Sequence, residues 1–246
     1  MGKNAKKFPA IFHPPQKRSP FVKETTPFPR RGDDPQGNCG KLWPAGELAD
    51  ETSPIVLLLV DVINDFSFPQ APKILRYAIP AARRIALLKK RLRRAGIPAI
   101  YVNDNFGRWR SDFRTQVEHC LADECPGSAV ARQLIPNEDD YFVLKPKHSG
   151  FYASSLDVLL TRLKAERLII TGFAADICVL FTANDAYMRD YRVLVPHDGV
   201  AAETVAAKRN ACRQMERFLR ADIRSSTGLP ARLASEPEGV FTNFEG

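Results

Sequence analysis

Three side chains far apart along the chain have types suited to acyl transfer: Asp61, Lys145 and Cys178. A thiol attacks a carbonyl well only as thiolate. A carboxylate can take the thiol proton and pass it to a leaving group, and a nearby ammonium favours the charged form of both. Each residue also has an ordinary reading, as a helix cap, a solvated lysine or a small buried hydrophobe. Together they suffice for acyl transfer to water without a histidine, provided that they converge. Cys178 is expected at the start of a helix, where unpaired backbone amides lower a thiol's pKa and can hold an oxyanion.

The elements that must bring them together are legible from residue 54 onward, where short apolar runs alternate with helical patterns. That alternation is the sequence form of βαβ units around a parallel sheet. Ile55–Val60 is continuously apolar, as in a strand buried on both faces. Further strands are expected at 97–102, 141–144, 167–171, 192–195 and 221–224, with helices at 78–95, 155–165, 178–189 and 204–220. In the 78–95 helix, Ile85, Leu88, Leu92 and Ala95 form the apolar stripe, with Arg and Lys on the other face. In such sheets the ligand crevice lies beyond the carboxyl ends of the strands. Asp61 and Lys145 stand at two of those ends, and Cys178 follows a third through the loop 172–177. The span 103–140 is long for a connection. It reads either as a lid over the crevice or as a surface helix pair with Trp109 packed on the sheet edge.

The residues around the three candidates also resemble a family. Leu58-Leu59-Val60-Asp61-Val62-Ile63-Asn64-Asp65-Phe66 resembles the opening motif of the isochorismatase-like cysteine hydrolases, which include nicotinamidases, N-carbamoylsarcosine amidase and ureidoacrylate amidohydrolase. Val143-Leu144-Lys145-Pro146-Lys147-His148-Ser149-Gly150-Phe151 is similar to the family's lysine motif. Thr171 to Leu180, with Thr182 and Asp185-Ala186, is similar to its nucleophile motif. The resemblance covers residues 54 to about 225. It implies a three-layer α/β/α sandwich with a six-stranded parallel sheet in the order 3-2-1-4-5-6. It further implies Asp61 as proton acceptor, Lys145 as its partner, Cys178 as nucleophile, and an oxyanion hole from the backbone N–H groups of Ala174 and Cys178. A cis Phe173–Ala174 peptide and a homo-oligomer complete what it implies.

Departures from the family pattern narrow the expectation. Nicotinamidases hold a metal with an Asp and several His after the second strand; here that region offers Asp104 and no His before His119. No metal or other cofactor is therefore expected, and a zinc set from His119, Cys120 and Cys125 lacks a usual spacing. Ile63 replaces a frequent Gln and Gly150 a frequent Ala, changes expected to alter the pocket. Phe66 and Trp109 are candidate substrate-binding walls, with core packing the competing role for Phe66.

Composition sets the remaining bounds. The chain has 246 residues, 44% of them hydrophobic, and a formal net charge of +8. Residues 1–50 hold nine Lys/Arg, five Asp/Glu and 8 of the 19 prolines, a density that defeats helix and interior strand. They read as an extended basic arm. Residues 51–225 read as the hydrolase domain and 226–246 as a tail packed on the domain or on a neighbouring subunit. The arm lacks a secretory apolar stretch, and no run approaches a membrane span, so a cytoplasmic protein without membrane association is expected. Five cysteines are too few and too scattered for a disulfide scaffold. The arm's aromatics are separated by prolines and form no stacking platform, so no nucleic-acid partner is expected. The reading is a hydrolase cleaving a C–N bond of a small amide, carbamoyl or ureido compound through a thioester on Cys178. Vinyl-ether hydrolysis driven by Asp61 and a non-catalytic module acting through the arm are the rivals.

Overall fold

The computed structural model describes residues 52–107, 112–229 and 233. The arm, Trp109 and most of the tail lie outside the described residues. Strand β1 (Ile55–Val60) is buried along its whole length, and its side chains divide between two cores. Ile55, Leu57 and Leu59 join Ile85, Leu88 and Leu92 of helix α1 (Ala71–Arg94). Val56, Leu58 and Val60 join Leu156 and Leu160 of α4 (Leu156–Leu163), Ala183 and Ala186 of α5 (Leu180–Tyr187), and Ala211 and Met215 of α6 (Val205–Leu219). This two-faced burial is what the continuous apolar run requires, and it makes a three-layer sandwich.

The strands β2 (Ala99–Asp104), β3 (Tyr141–Lys145), β4 (Arg167–Phe173) and β5 (Arg192–Leu194) run parallel with β1 in the order β3-β2-β1-β4-β5. The sixth strand differs from expectation. Residues Val200–Ala201 form β6 and pair with Gly172 and Phe173 of β4, whereas 221–224 makes a single parallel bridge, Leu194↔Asp222. With three residues in β5, there is little ladder left to extend at that edge.

Helix α1 begins at Ala71 and not near residue 78, because Pro72 falls in the first turn, where a missing N–H costs nothing. Pro80 lies inside it. Lys89 is not on the solvent face with the other basic residues: it is buried, ion-paired with Asp140, and donates to Tyr101 Oη at 3.0 Å. The span 103–140 holds α2 (Phe113–Leu121) and the short α3 (Ser128–Ala131). Phe113, Cys120, Val130, Ala131 and Leu134 bury them against the α1 side of the sheet. Among the described residues, no helix is long and apolar enough to cross a membrane.

Gly172 shows why glycine stands before the nucleophile loop. Its φ is +120°, and a Cβ there would lie 2.0 Å from the Val60 carbonyl oxygen. The ends of β1 and β4 therefore approach more closely than any side chain permits.

Candidate active site

The parallel register carries the three candidates to one edge. Val60 pairs with Val102 on one side and Gly172 on the other, and Asp104 pairs with Lys145, so the ends of β1, β2, β3 and β4 are level. Asp61 leaves β1 with φ of +51°, a left-handed turn that Asp tolerates better than most residues. Its carboxylate accepts the Asp104 N–H at 2.7 Å and faces Lys145 Nζ at 2.8 Å. Lys145 is fully sealed from solvent, and its ammonium also donates to the Lys147 carbonyl at 3.1 Å and lies 3.7 Å from Cys178 Sγ. Asp61 and the Cys178 thiol also act on each other's protonation. Asp61, Lys145 and Cys178 thus meet, and of the three residues Cys178 alone is not buried.

The local folding behind this is specific. Cys178 does not open a regular helix; it is the fourth residue of a π-helical turn, Ala175–Val179, that runs into α5. Thr182, one turn on, donates to the Cys178 carbonyl at 2.7 Å and accepts the Gly150 N–H at 3.0 Å. Ser149 donates to Asp185 and accepts the Phe151 N–H at 3.1 Å. The loop after Lys145 is thereby clamped to the nucleophile's helix. The peptide Phe173–Ala174 is cis.

The electrostatics correct one expectation. Burial pushes the Cys178 thiol up, the Asp61 charge pushes it further, and Lys145 offsets only part of this. These surroundings favour the protonated thiol over the thiolate. Burial also raises Asp61 against the pull of Lys145, the Cys178 and Lys145 hydrogen bonds and the Asp104 amide. For Lys145, burial opposes the charge, but Asp61, Cys178 and Asp104 together hold its pKa above the ordinary value. The cluster is a buried ion pair with a neutral thiol at its mouth.

Other candidates fall elsewhere. Phe66 is 3% exposed in the core, with its ring 6.3 Å from that of Phe173, so it packs the interior and forms no open wall. Trp109 lies outside the described residues. Ile63 is fully buried, and a Cβ on Gly150 would lie 2.8 Å from Val102 Cγ1. Both departures from the family pattern fall at buried, packed positions. Ala174 caps the π turn at its N-terminal edge, and Cys178 is its fourth residue. His119 pairs with Asp65 at 3.4 Å, and Cys120 is core. Among the described residues, no group of three or more His, Cys, Asp or Glu side chains is placed to hold a metal.

Sequence reasoning missed His148. Its Nδ1 lies 3.8 Å from Cys178 Sγ on the exposed side, and its ring is tilted against Phe181 with centroids 5.7 Å apart. Its place three residues after Lys145 was the available signal.

A parallel α/β sandwich with an acid, a buried ammonium and a thiol at its strand ends defines a hydrolase scaffold, and comparison with known proteins agrees. The isochorismatase domain model matches residues 56–225, and the chain belongs to the isochorismatase family. It is 39% identical over 167 residues to the uncharacterized isochorismatase family protein YaaI of Bacillus subtilis, covering 68% of this chain and 91% of that one. It is 35% identical over 91 residues to the ureidoacrylate amidohydrolase RutB of Methylorubrum extorquens, 37% of either chain. Among solved structures, N-carbamoylsarcosine amidase from Thermoplasma acidophilum superposes with a TM-score of 0.53 at 29% identity, covering 76% of this chain and all of that one. The protein is an isochorismatase-family hydrolase with amidohydrolase relatives.

Proposed function

We propose that this hydrolase cleaves the C–N bond of a small amide, carbamoyl or ureido compound through a thioester on Cys178. The observation that carries the reading is the Cys178 sulfur, on a partly exposed residue, 3.7 Å from an ammonium that is itself 2.8 Å from Asp61. Asp61 takes the S–H proton as sulfur attacks the carbonyl carbon. The C=O electron pair moves onto oxygen, and the resulting oxyanion is held by the N–H groups of Ala174 and Cys178, each worth about 2.7–4 kcal/mol of barrier. The oxyanion collapses, the C–N bond breaks, and the nitrogen leaves with the proton from Asp61. Water then attacks the thioester, gives a proton to Asp61, and the acid departs as sulfur regains that proton. Lys145 keeps Asp61 from being a stably protonated acid, and so available as a base.

Likeness to a ureidoacrylate amidohydrolase and to an N-carbamoylsarcosine amidase supports a carbamoyl or ureido carbonyl as the centre attacked. The test is a panel of small amides, carbamoyl amines and ureides read by ammonia release, with mass detection of an adduct on Cys178. Cys178→Ala is expected to abolish turnover while leaving the folded signal unchanged. Activity surviving in Cys178→Ala but lost in Asp61→Ala would replace the thioester with acid-driven vinyl-ether chemistry.

A further inference from the structure

Two proton acceptors surround the Cys178 thiol, and only one belongs to the acid–lysine–thiol set. Asp61 lies on the sealed side, with 7% of its side chain exposed, and Lys145 shows none. The imidazole of His148 lies on the open side, with Nδ1 3.8 Å from Sγ and its ring braced against Phe181. The loop that carries it is fixed to α5 by the Gly150–Thr182 and Ser149–Asp185 hydrogen bonds, so the sulfur–imidazole contact is built into the fold.

The two acceptors differ in what protonation costs. Moving the thiol proton to Asp61 neutralises the partner of a sealed lysine and leaves a sulfur anion in surroundings that disfavour it. Moving it to His148 creates an imidazolium in contact with water, where a cation is cheaply solvated. The sulfur anion then sits between two cations, Lys145 at 3.7 Å and His148 at 3.8 Å, while the Asp61–Lys145 pair stays intact.

We propose that His148 is a catalytic residue that takes the Cys178 proton from the solvent side. The assignment rests on the thioester reading above. This route runs beside the Asp61 route, one of the two groups carrying the proton in any one turnover: with the ring proton on Nε2, Nδ1 accepts the S–H proton as sulfur attacks the carbonyl carbon and the C=O pair moves to oxygen. On collapse the C–N bond breaks, and Nδ1–H protonates the departing nitrogen. Hydrolysis of the thioester returns one proton from water to the sulfur, so the cycle balances. Asp61, still paired with Lys145, shares this work as the second acceptor.

The test needs no known substrate: the rate of Cys178 alkylation by iodoacetamide, located by peptide mass mapping, with Cys212 as the internal reference. His148→Asn keeps a polar atom near the Nδ1 position without a basic nitrogen, and His148→Phe keeps a ring against Phe181. Both are expected to slow Cys178 alkylation by at least about tenfold, less than the roughly 10²–10⁴-fold of a sole general base because Asp61 shares the work. Asp61→Asn should retain part of the wild-type rate, and Asp61→Asn/His148→Asn should fall below either single variant. A wild-type rate in His148→Asn, or an Asp61→Asn rate already as low as the double variant, overturns the assignment alone. Cys178 reacting no faster than Cys212 in the wild-type protein overturns the thioester reading and this assignment with it.

Discussion

Replacing Lys145 with Met tests how far the site depends on its sealed ion pair. At the 2.8 Å separation of Nζ and Asp61, two unit charges attract by about 6 kcal/mol at an effective dielectric near 20. The cost of burying both ions cancels much of that, so the pair's net worth is small; removing one partner is different. A carboxylate left alone in a sealed site costs about 3–5 kcal/mol. Asp61 can escape that cost by taking a proton, so losing the ammonium raises its carboxyl further above the ordinary value. The sign follows. A carboxyl raised above its unfolded value makes the folded state bind more protons, so stability is lost as pH rises through the folded value. The penalty of Lys145→Met should therefore be small near pH 4 and grow to its full size by about pH 7. Urea unfolding of wild type, Lys145→Met, Asp61→Asn and the double variant across that range is the assay. The double variant should recover most of the loss. A penalty that is independent of pH, or two single losses that simply add, would refute a direct charge coupling.

Two further outcomes follow from the packing. Gly150→Ala places a methyl 2.8 Å from Val102 Cγ1 and should cost about 1–3 kcal/mol in urea unfolding, with Val102→Ala restoring most of it. Asp198 accepts from Ser226 N–H at 2.8 Å and from the Ser225 and Ser226 hydroxyls; burial opposes its charge, but these bonds hold its carboxyl below the ordinary value. Its contribution is present above an ordinary Asp pKa of about 3.9 and is lost as pH falls through the lowered folded value. Asp198→Ala should lower Tm at pH 7 and should bring the acid end of the stability profile closer to wild type; an unchanged Tm at pH 7 would refute the role.

Strands β1 and β4 were legible because a strand buried on both faces has to be continuously apolar; Asp61 was legible because it ends such a run, and Lys145 because it ends the short apolar run of the edge strand β3. The edge was not. Both 200–201 and 221–224 are short, and which one pairs depends on β4 being long enough to reach Val200. Lys89 follows a basic periodicity, yet Asp140, fifty-one positions away, draws it inside. At the site, residue types pointed to the nucleophile but not to its protonation state, since that is decided by burial and by which charges surround the sulfur. His148 was hidden for a related reason: its neighbourhood is created by the Thr182 and Ser149 hydrogen bonds, which have no local signature.

Those same hydrogen bonds couple two pieces of machinery mechanically. Because α5 and the loop behind β3 are bolted together, a shift of that helix carries the sulfur and the loop of His148 along together, while the Lys145 ammonium stays with the β2–β3 ladder. Repacking the exposed side of α5 at Tyr187, and not at Phe181 against which the His148 ring rests, is then a way to move sulfur and imidazole together relative to Lys145. Cutting Thr182 Oγ1 uncouples the two and makes the sulfur–imidazole spacing the variable.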